Sequence, residues 1–300
     1  MREPLFELEG LGHAYGSVVA LHDVDLVVPR GRIGLVGANG AGKTTLIRIL
    51  LGNLRPTRGR VRVLGFDVGT EALEVRARVG YMPEGDALPP DLTAADFLVY
   101  AARLGGLPAR AARRRASDVL TLVGLDEERF RPMGGFSTGM KQRAKLAQAI
   151  VHDPDFVLLD EPTAGLDPTG RDELLDLIGR LQGFGIDVLV SSHVLGDIER
   201  TCDWVVVLEG GRVLRSGPIA GLVDAEVVVV EPLADHDRLV EALAGAGATA
   251  TREGPLVVVE ADDDPFDLVR DVLADTGIGI RSLGPRRTRL EDVFLAGGDR

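Results

Sequence analysis

Eight consecutive residues, Gly37-Ala-Asn-Gly-Ala-Gly-Lys-Thr44, fit the spacing G-x-x-x-x-G-K-[ST]. Glycines let a backbone turn so that successive N–H groups converge on phosphate oxygens, and a helix starting there adds its partial positive charge. Gly37, Asn39, Gly40, Ala41, Gly42, Lys43, Thr44 and Thr45 are therefore candidate phosphate-binding residues. Lys43 is expected to reach the β- and γ-phosphates of a nucleotide, and the Thr44 hydroxyl to coordinate Mg²⁺. An accidental glycine-rich turn is the bland alternative. The flanks argue against it: Ile33–Val36 reads as a buried strand before the loop, and Thr44–Leu51 as a helix after it.

A second group is Phe156-Val-Leu-Leu-Asp160-Glu161. An apolar strand ending in a carboxylate places an acid beside Mg²⁺ at the carboxyl edge of a sheet, which suits Asp160, directly or through water. Glu161, one residue on, faces elsewhere and can take a proton from the attacking water or orient it. An acid at a strand end is commonplace alone; paired with the phosphate loop it completes a nucleotide site.

These residues need a frame. Leu5–Arg30 reads as short alternating strands broken at Gly10, Gly12 and Gly16, and 59–65 as a strand and turn. Residues 91–149 turn helical and alanine-rich, with helices expected over Ala94–Leu104 and Ala109–Leu122. Strands over Phe156–Leu159 and Asp187–Ser191 alternate with helices over Arg171–Leu181 and Val194–Thr201, and a hairpin joins Val205–Leu208 to Arg212–Arg215. Such alternation predicts an α/β fold with a mostly parallel sheet. The last eighty residues follow their own order: strand 226–230, helix 235–244, strands 249–252 and 256–260, helix 265–274, strand 278–283. That is the βαββαβ order of a ferredoxin-like unit, followed by a short helix at Leu290–Leu295.

Composition narrows the class. The chain has 300 residues, 45% of them hydrophobic, enough for one large domain or for one large plus one small. A net charge of −12 argues against a general nucleic-acid binder. The imbalance sits mostly after residue 220, where 17 acids face 8 arginines, so a boundary is expected near 221. The single cysteine, Cys202, excludes an intramolecular disulfide and any cysteine metal cluster. No apolar run is long enough to span a membrane, and the N-terminus lacks a signal-peptide core, so a cytosolic protein is expected. Only three lysines, Lys43, Lys141 and Lys145, stand beside 31 arginines.

Between the phosphate loop and the acid strand lies Phe136-Ser-Thr-Gly-Met-Lys-Gln-Arg143, which resembles the LSGGQ signature of ATP-binding cassette (ABC) ATPases. The resemblance covers about residues 5–220, in the family's order. It implies that Tyr15 stacks on adenine, that Glu84 lies in the Q-loop and binds Mg²⁺ or its water, and that Ala164-Gly-Leu-Asp167 is the D-loop. It also implies that His193 is the switch histidine on the γ-phosphate, and that Ser137 and Gly139 bind the ATP held by a partner subunit. The sequence departs from the family at Thr138 (usually glycine), Met140 (usually glutamine) and Glu84 (usually glutamine). The last adds negative charge and removes an amide donor. The Phe-Ser-Thr-Gly-Met-Lys-Gln-Arg run and Leu-Glu-Asp-Val-Phe-Leu at 290–295 resemble the branch of ABC-2 type exporters, with drug-resistance and sodium-export ATPases.

What the resemblance implies is a P-loop NTPase of ABC type over 1–220. It would have a RecA-like core, an antiparallel β-subdomain and a helical subdomain at about 86–148; the element order adds an α+β ferredoxin-like accessory domain at 221–300. Two copies, identical or not, would close head to tail over two Mg-ATP and drive a separately encoded integral membrane permease, leaving the chain peripheral on the inner face of the membrane. A ribosome- or DNA-acting ATPase is disfavoured: ribosome-acting relatives usually carry two cassettes in one chain, and the 52 residues between Glu84 and Ser137 are too few for the long coiled coil that DNA-repair relatives insert there. A nucleotide-dependent regulatory module is the third reading. Arg110, Arg113, Arg114 and Arg115 read as a solvated helix face, or as a contact for anionic lipid or permease loops.

Overall fold

The computed structural model describes residues 3–85, 87–220, 227–261 and 264–285. The expected helix at Leu290–Leu295 lies outside them. The chain divides into two compact units, Met1–Pro218 and Ile219–Arg300.

The first unit holds two sheets. β1 (Phe6–Tyr15), β2 (Val18–Val28), β4 (Arg58–Val63) and β5 (Phe66–Asp67) form an antiparallel sheet in the order β2-β1-β4-β5. β3 (Arg32–Val36), β6 (Val79–Met82), β7 (Phe156–Asp160), β8 (Asp187–Ser192), β9 (Trp204–Glu209) and β10 (Arg212–Pro218) form the second, in the order β10-β9-β3-β8-β7-β6. All its pairings are parallel except the β9–β10 hairpin. Every residue of β7 is buried, as a strand covered on both faces requires.

Seven helices of this unit are α1 (Lys43–Leu50), α2 (Ala72–Arg78), α3 (Ala94–Leu104), α4 (Ala109–Leu122), α5 (Thr138–Ile150), α6 (Pro168–Arg180) and α7 (Leu195–Thr201). The main core joins the two sheets through α1: Leu46, Ile47, Ile49 and Leu50 pack with Phe6, Leu8 and Leu11 of β1 and Ile33 and Leu35 of β3. α3 starts at a side-chain cap, where the Thr93 hydroxyl accepts the Asp96 N–H at 3.1 Å and donates to the Asp96 carboxylate at 2.7 Å. Among the described residues, no helix is long and apolar enough to cross a membrane.

The expected breaks at Gly10 and Gly12 are corrected here. β1 runs on through both glycines as a ten-residue strand, with register shifts between Leu8 and His13. Gly10 takes φ +54°, and a Cβ on Gly12 would lie 2.5 Å from the Arg58 side chain. The glycines therefore bend and pack a strand rather than end it.

Gly34, in the middle of β3, shows how α7 is placed. A Cβ there would meet Cγ2 of Ile198 at 2.1 Å, so α7 lies against bare backbone. Gly34→Ala should lower stability by about 1–3 kcal/mol through overpacking. Chemical denaturation checks this; an unchanged midpoint would contradict the packing described. Cys202, just after α7, is buried, and desolvation pushes its thiol up to about 12 despite the opposing charge of Arg32, so it is unreactive.

The second unit contains β11 (Val227–Pro232), α8 (His236–Gly245), β12 (Thr249–Glu253), β13 (Leu256–Glu260), α9 (Pro265–Thr276) and β14 (Ile280–Pro285). Its sheet order is β12-β13-β11-β14, antiparallel throughout. Val228, Val230, Val257 and Val259 form a core with Leu239 and Leu243 of α8 and Val269 and Val272 of α9.

Candidate active site

Four neighbouring parallel strands end on one edge. The phosphate loop follows β3, Ser191 and Ser192 close β8, Asp160 closes β7, and Glu84 follows β6. This is where an open α/β sheet binds its ligand. The edge opens into a cleft of about 420 Å³ lined by Asn39, Gly40, Gly42, Lys43, Thr44, Thr45, Glu84, Asp160, Glu161 and His193, with Ala20, Ala38 and Ala164.

Sequence and sterics together shape the loop. Gly42 precedes α1 at φ +104°, and a Cβ there would lie 2.7 Å from the Ala20 carbonyl. Only glycine meets both conditions. Gly37 and Ala41 hold the loop from outside the cleft lining. The Gly37 carbonyl accepts from Lys43 Nζ at 2.6 Å, and the Ala41 carbonyl accepts the Gly211 N–H at 3.1 Å.

Lys43 is buried, and its ammonium also lies 3.7 Å from Glu161 Oε1. Glu161 Oε2 is 2.9 Å from His193 Nδ1. The backbone of Glu161 is left-handed, φ +47°, and is held there by N–H bonds to Ser191 O (3.2 Å) and Ser191 Oγ (3.0 Å). A non-glycine residue in this region costs about 1–3 kcal/mol and persists only when its surroundings enforce it. The bend separates the two acids. Asp160 turns to Ser191 Oγ (2.6 Å) and Thr44 Oγ1 (3.4 Å), while Glu161 turns to Lys43 and His193. Tyr81 on β6 feels this acidic edge. Desolvation, reinforced by the charges of Asp160 and Glu84 and opposed by Arg48, pushes its hydroxyl up to about 12, so it stays neutral.

Thr44, Asp160 and Glu84 offer hard oxygen donors on one cleft, and no cluster of three or more His, Cys, Asp or Glu able to cage an ion occurs among the described residues. A site with few protein oxygens suits Mg²⁺, which keeps several waters and takes the rest of its shell from substrate phosphates.

Besides Gly37 and Ala41, four predicted residues lie outside this lining. Tyr15, at the end of β1, is 45% exposed and stacks edge-on against His13 at 4.6 Å. Ser137 caps α5, its Oγ accepting the Met140 N–H at 3.3 Å, and it is exposed while Gly139 is half-buried. Asp167 caps α6 through the Gly170 N–H at 3.1 Å. The arginine cluster also divides. Arg115 donates to the Ile150 and Val151 carbonyls at the end of α5 and to Asp153, whereas Arg110, Arg113 and Arg114 are exposed.

Three supporting residues had no assigned role in the sequence reading. Lys145, buried on α5, donates to the carbonyls of Pro83, Glu84 and Gly85 at 2.9–3.3 Å and so holds the Glu84 loop. The scarcity of lysine was the signal that could have found it. Gln142 donates to the Ala164 carbonyl at 2.9 Å, tying α5 to the segment after Glu161. Buried Asp197 on α7 accepts from Thr163 Oγ1 (2.8 Å) and Arg171 Nε (2.5 Å), tying that segment to the helix that follows His193.

The comparisons with known proteins agree with this geometry. A family model described as "ABC transporter" matches residues 21–164. The daunorubicin resistance ATP-binding protein DrrA3 of Streptomyces coeruleorubidus is 35% identical, over 100% of this chain and 98% of its own. The Nod factor export ATP-binding protein I of Ralstonia nicotianae is 33% identical, over 97% of this chain and 93% of its own. A solved ATP-binding subunit of an ABC transporter superimposes with a TM-score of 0.66 at 33% identity, covering 73% of this chain and 91% of that one. With a glycine-rich loop, an acid-tipped strand and a histidine lining one cleft, the chain belongs to the ABC transporter ATP-binding proteins, the ABC ATPases.

Proposed function

We propose that this chain is the ATP-hydrolysing subunit of an ABC exporter. Two copies, or one copy and a related subunit, close head to tail over two Mg-ATP and drive a separately encoded permease. One observation carries the dimer: Ser137 and Gly139 stand at the exposed start of α5 and do not line their own cleft. A phosphate-binding role for this helix start therefore falls on the nucleotide of a second copy. Export is supported by relatives whose names refer to drug resistance and Nod factor export.

In this reading the loop N–H groups and Lys43 hold the β- and γ-phosphates, and Thr44, Asp160 and Glu84 hold Mg²⁺, which neutralises phosphate charge when bound. Glu161 accepts the proton of the attacking water, and His193 keeps Glu161 oriented and supports charge on the γ-phosphate. Tyr15 stacks on adenine, and Asp167 belongs to the loop facing the second copy. Residues 1–220 act as the ATP-binding domain, with a helical subdomain at about 86–148. Residues 221–300 form a ferredoxin-like accessory domain; the sheet order β12-β13-β11-β14 supports that assignment. The permease docks in a groove of about 490 Å³ lined by Tyr81, Pro83, Phe97, Ala101 and Leu104, and through it the chain sits peripherally on the inner membrane face. No nucleic-acid partner is proposed.

Sedimentation tests the dimer. With ATP and Mg²⁺, the Glu161→Gln protein should sediment as a dimer, and adding Ser137→Glu should return it to monomer while nucleotide still binds. A dimer indifferent to Ser137→Glu would overturn the head-to-tail reading.

A further inference from the structure

α4 carries its charge the wrong way round for a helix. α2 and α3 have an acid in the first turn and arginine in the last, as the helix dipole favours. α4 has no acid in its first turn and no base in its last, and its arginines crowd the N-terminal half. Arg110, Arg113 and Arg114 follow an i, i+3, i+4 spacing, so they share one face, which borders the buried stripe of Ala112, Ala116, Val119 and Leu120. Like charges at this spacing repel. Among the described residues all three are exposed, and none takes part in an ion pair or a side-chain hydrogen bond, in contrast to Arg115. A local rule broken without internal compensation marks a surface meant for something outside the chain.

The surroundings indicate what that is. The turn joining α3 to α4 is flanked by exposed Arg103, by Leu104 at 71% exposure and, one turn back, by Tyr100 at 58%. A basic face beside a protruding tyrosine and leucine has the composition of an interfacial membrane contact. Leu104 and Gly105 also line the groove assigned above to the permease, which puts the hairpin tip next to the bilayer. We infer that Arg110, Arg113 and Arg114, with Arg103, bind the phosphate headgroups of anionic phospholipid at the membrane surface. Tyr100 and Leu104 rest at the headgroup level. The remainder of the chain is acidic, so this patch would set which side of the subunit meets the membrane.

The inference rests on the transporter reading only for the direction in which the tip points. Its test uses the full chain without permease or nucleotide, so turnover and vesicle binding can fail separately. Co-flotation compares phosphatidylcholine vesicles with and without phosphatidylglycerol. The parent should bind only the anionic vesicles, less so as salt rises. R110Q/R113Q/R114Q should bind about a hundredfold more weakly, about fivefold per arginine, with ATP turnover and melting temperature unchanged. R110K/R113K/R114K should keep binding, because a headgroup layer reads charge. Three results would each overturn the inference: equal flotation of parent and glutamine variant, equal binding to neutral vesicles, or loss of binding in the lysine variant. The last would point to a shaped protein contact.

Discussion

Glu161→Gln should lower ATP turnover by about 10²–10⁴, the contribution of a positioned general base, while leaving ATP affinity nearly unchanged. The geometry makes the substitution selective. Glutamine keeps the volume and can still hydrogen-bond His193, now 2.9 Å from Oε2. The Ser191 bonds that hold the strained backbone go to the main-chain N–H and are untouched. What is lost is the ability to take a proton, together with the negative charge 3.7 Å from the Lys43 ammonium. Phosphate release and nucleotide titration on the same protein separate the two quantities. Turnover equal to the parent's would remove Glu161 from the chemistry.

Lys43→Ala should act on the other quantity. Its ammonium sits in the phosphate loop, 2.6 Å from the Gly37 carbonyl, at the floor of the cleft. A charge-assisted hydrogen bond to phosphate is worth about 1.5–3 kcal/mol, so ATP should bind about 10- to 150-fold more weakly. The variant should also be less stable, because Glu161 is buried and loses the cation 3.7 Å away. Titration of a fluorescent ATP analogue measures the first effect and thermal denaturation the second. Undiminished affinity would place the phosphates elsewhere.

What could be read in advance depended on how local the signal was. The helices at Ala94–Leu104 and Ala109–Leu122 appear with the boundaries expected, because strong apolar periodicity and a Gly-Gly-Leu-Pro turn are local features. The loop from Gly37 to Thr44 and the acids at Asp160 and Glu161 were legible because their chemistry is written in consecutive residues. α2, β5 and β6 were not read, being two to seven residues long. The glycines of β1 were mistaken for breaks, since a bulge and a turn leave the same mark on a sequence. Contacts between distant segments were invisible: the Ser191 hydroxyl that fixes Asp160, the Lys145 grip on the Glu84 loop, and the Asp197 link between Thr163 and Arg171.

In the proposed function this ATPase works against a membrane permease seated in the groove beside Tyr81 and Ala101. The most direct measurement is purification of tagged Glu161→Gln protein from detergent-solubilised membranes with ATP and Mg²⁺, in parallel with the same protein carrying Ala101→Arg. A polytopic membrane protein should co-purify in stoichiometric amount and be lost when the groove is blocked. Recovery without any membrane protein, or with ribosomes or DNA, or capture indifferent to Ala101→Arg, would contradict this reading.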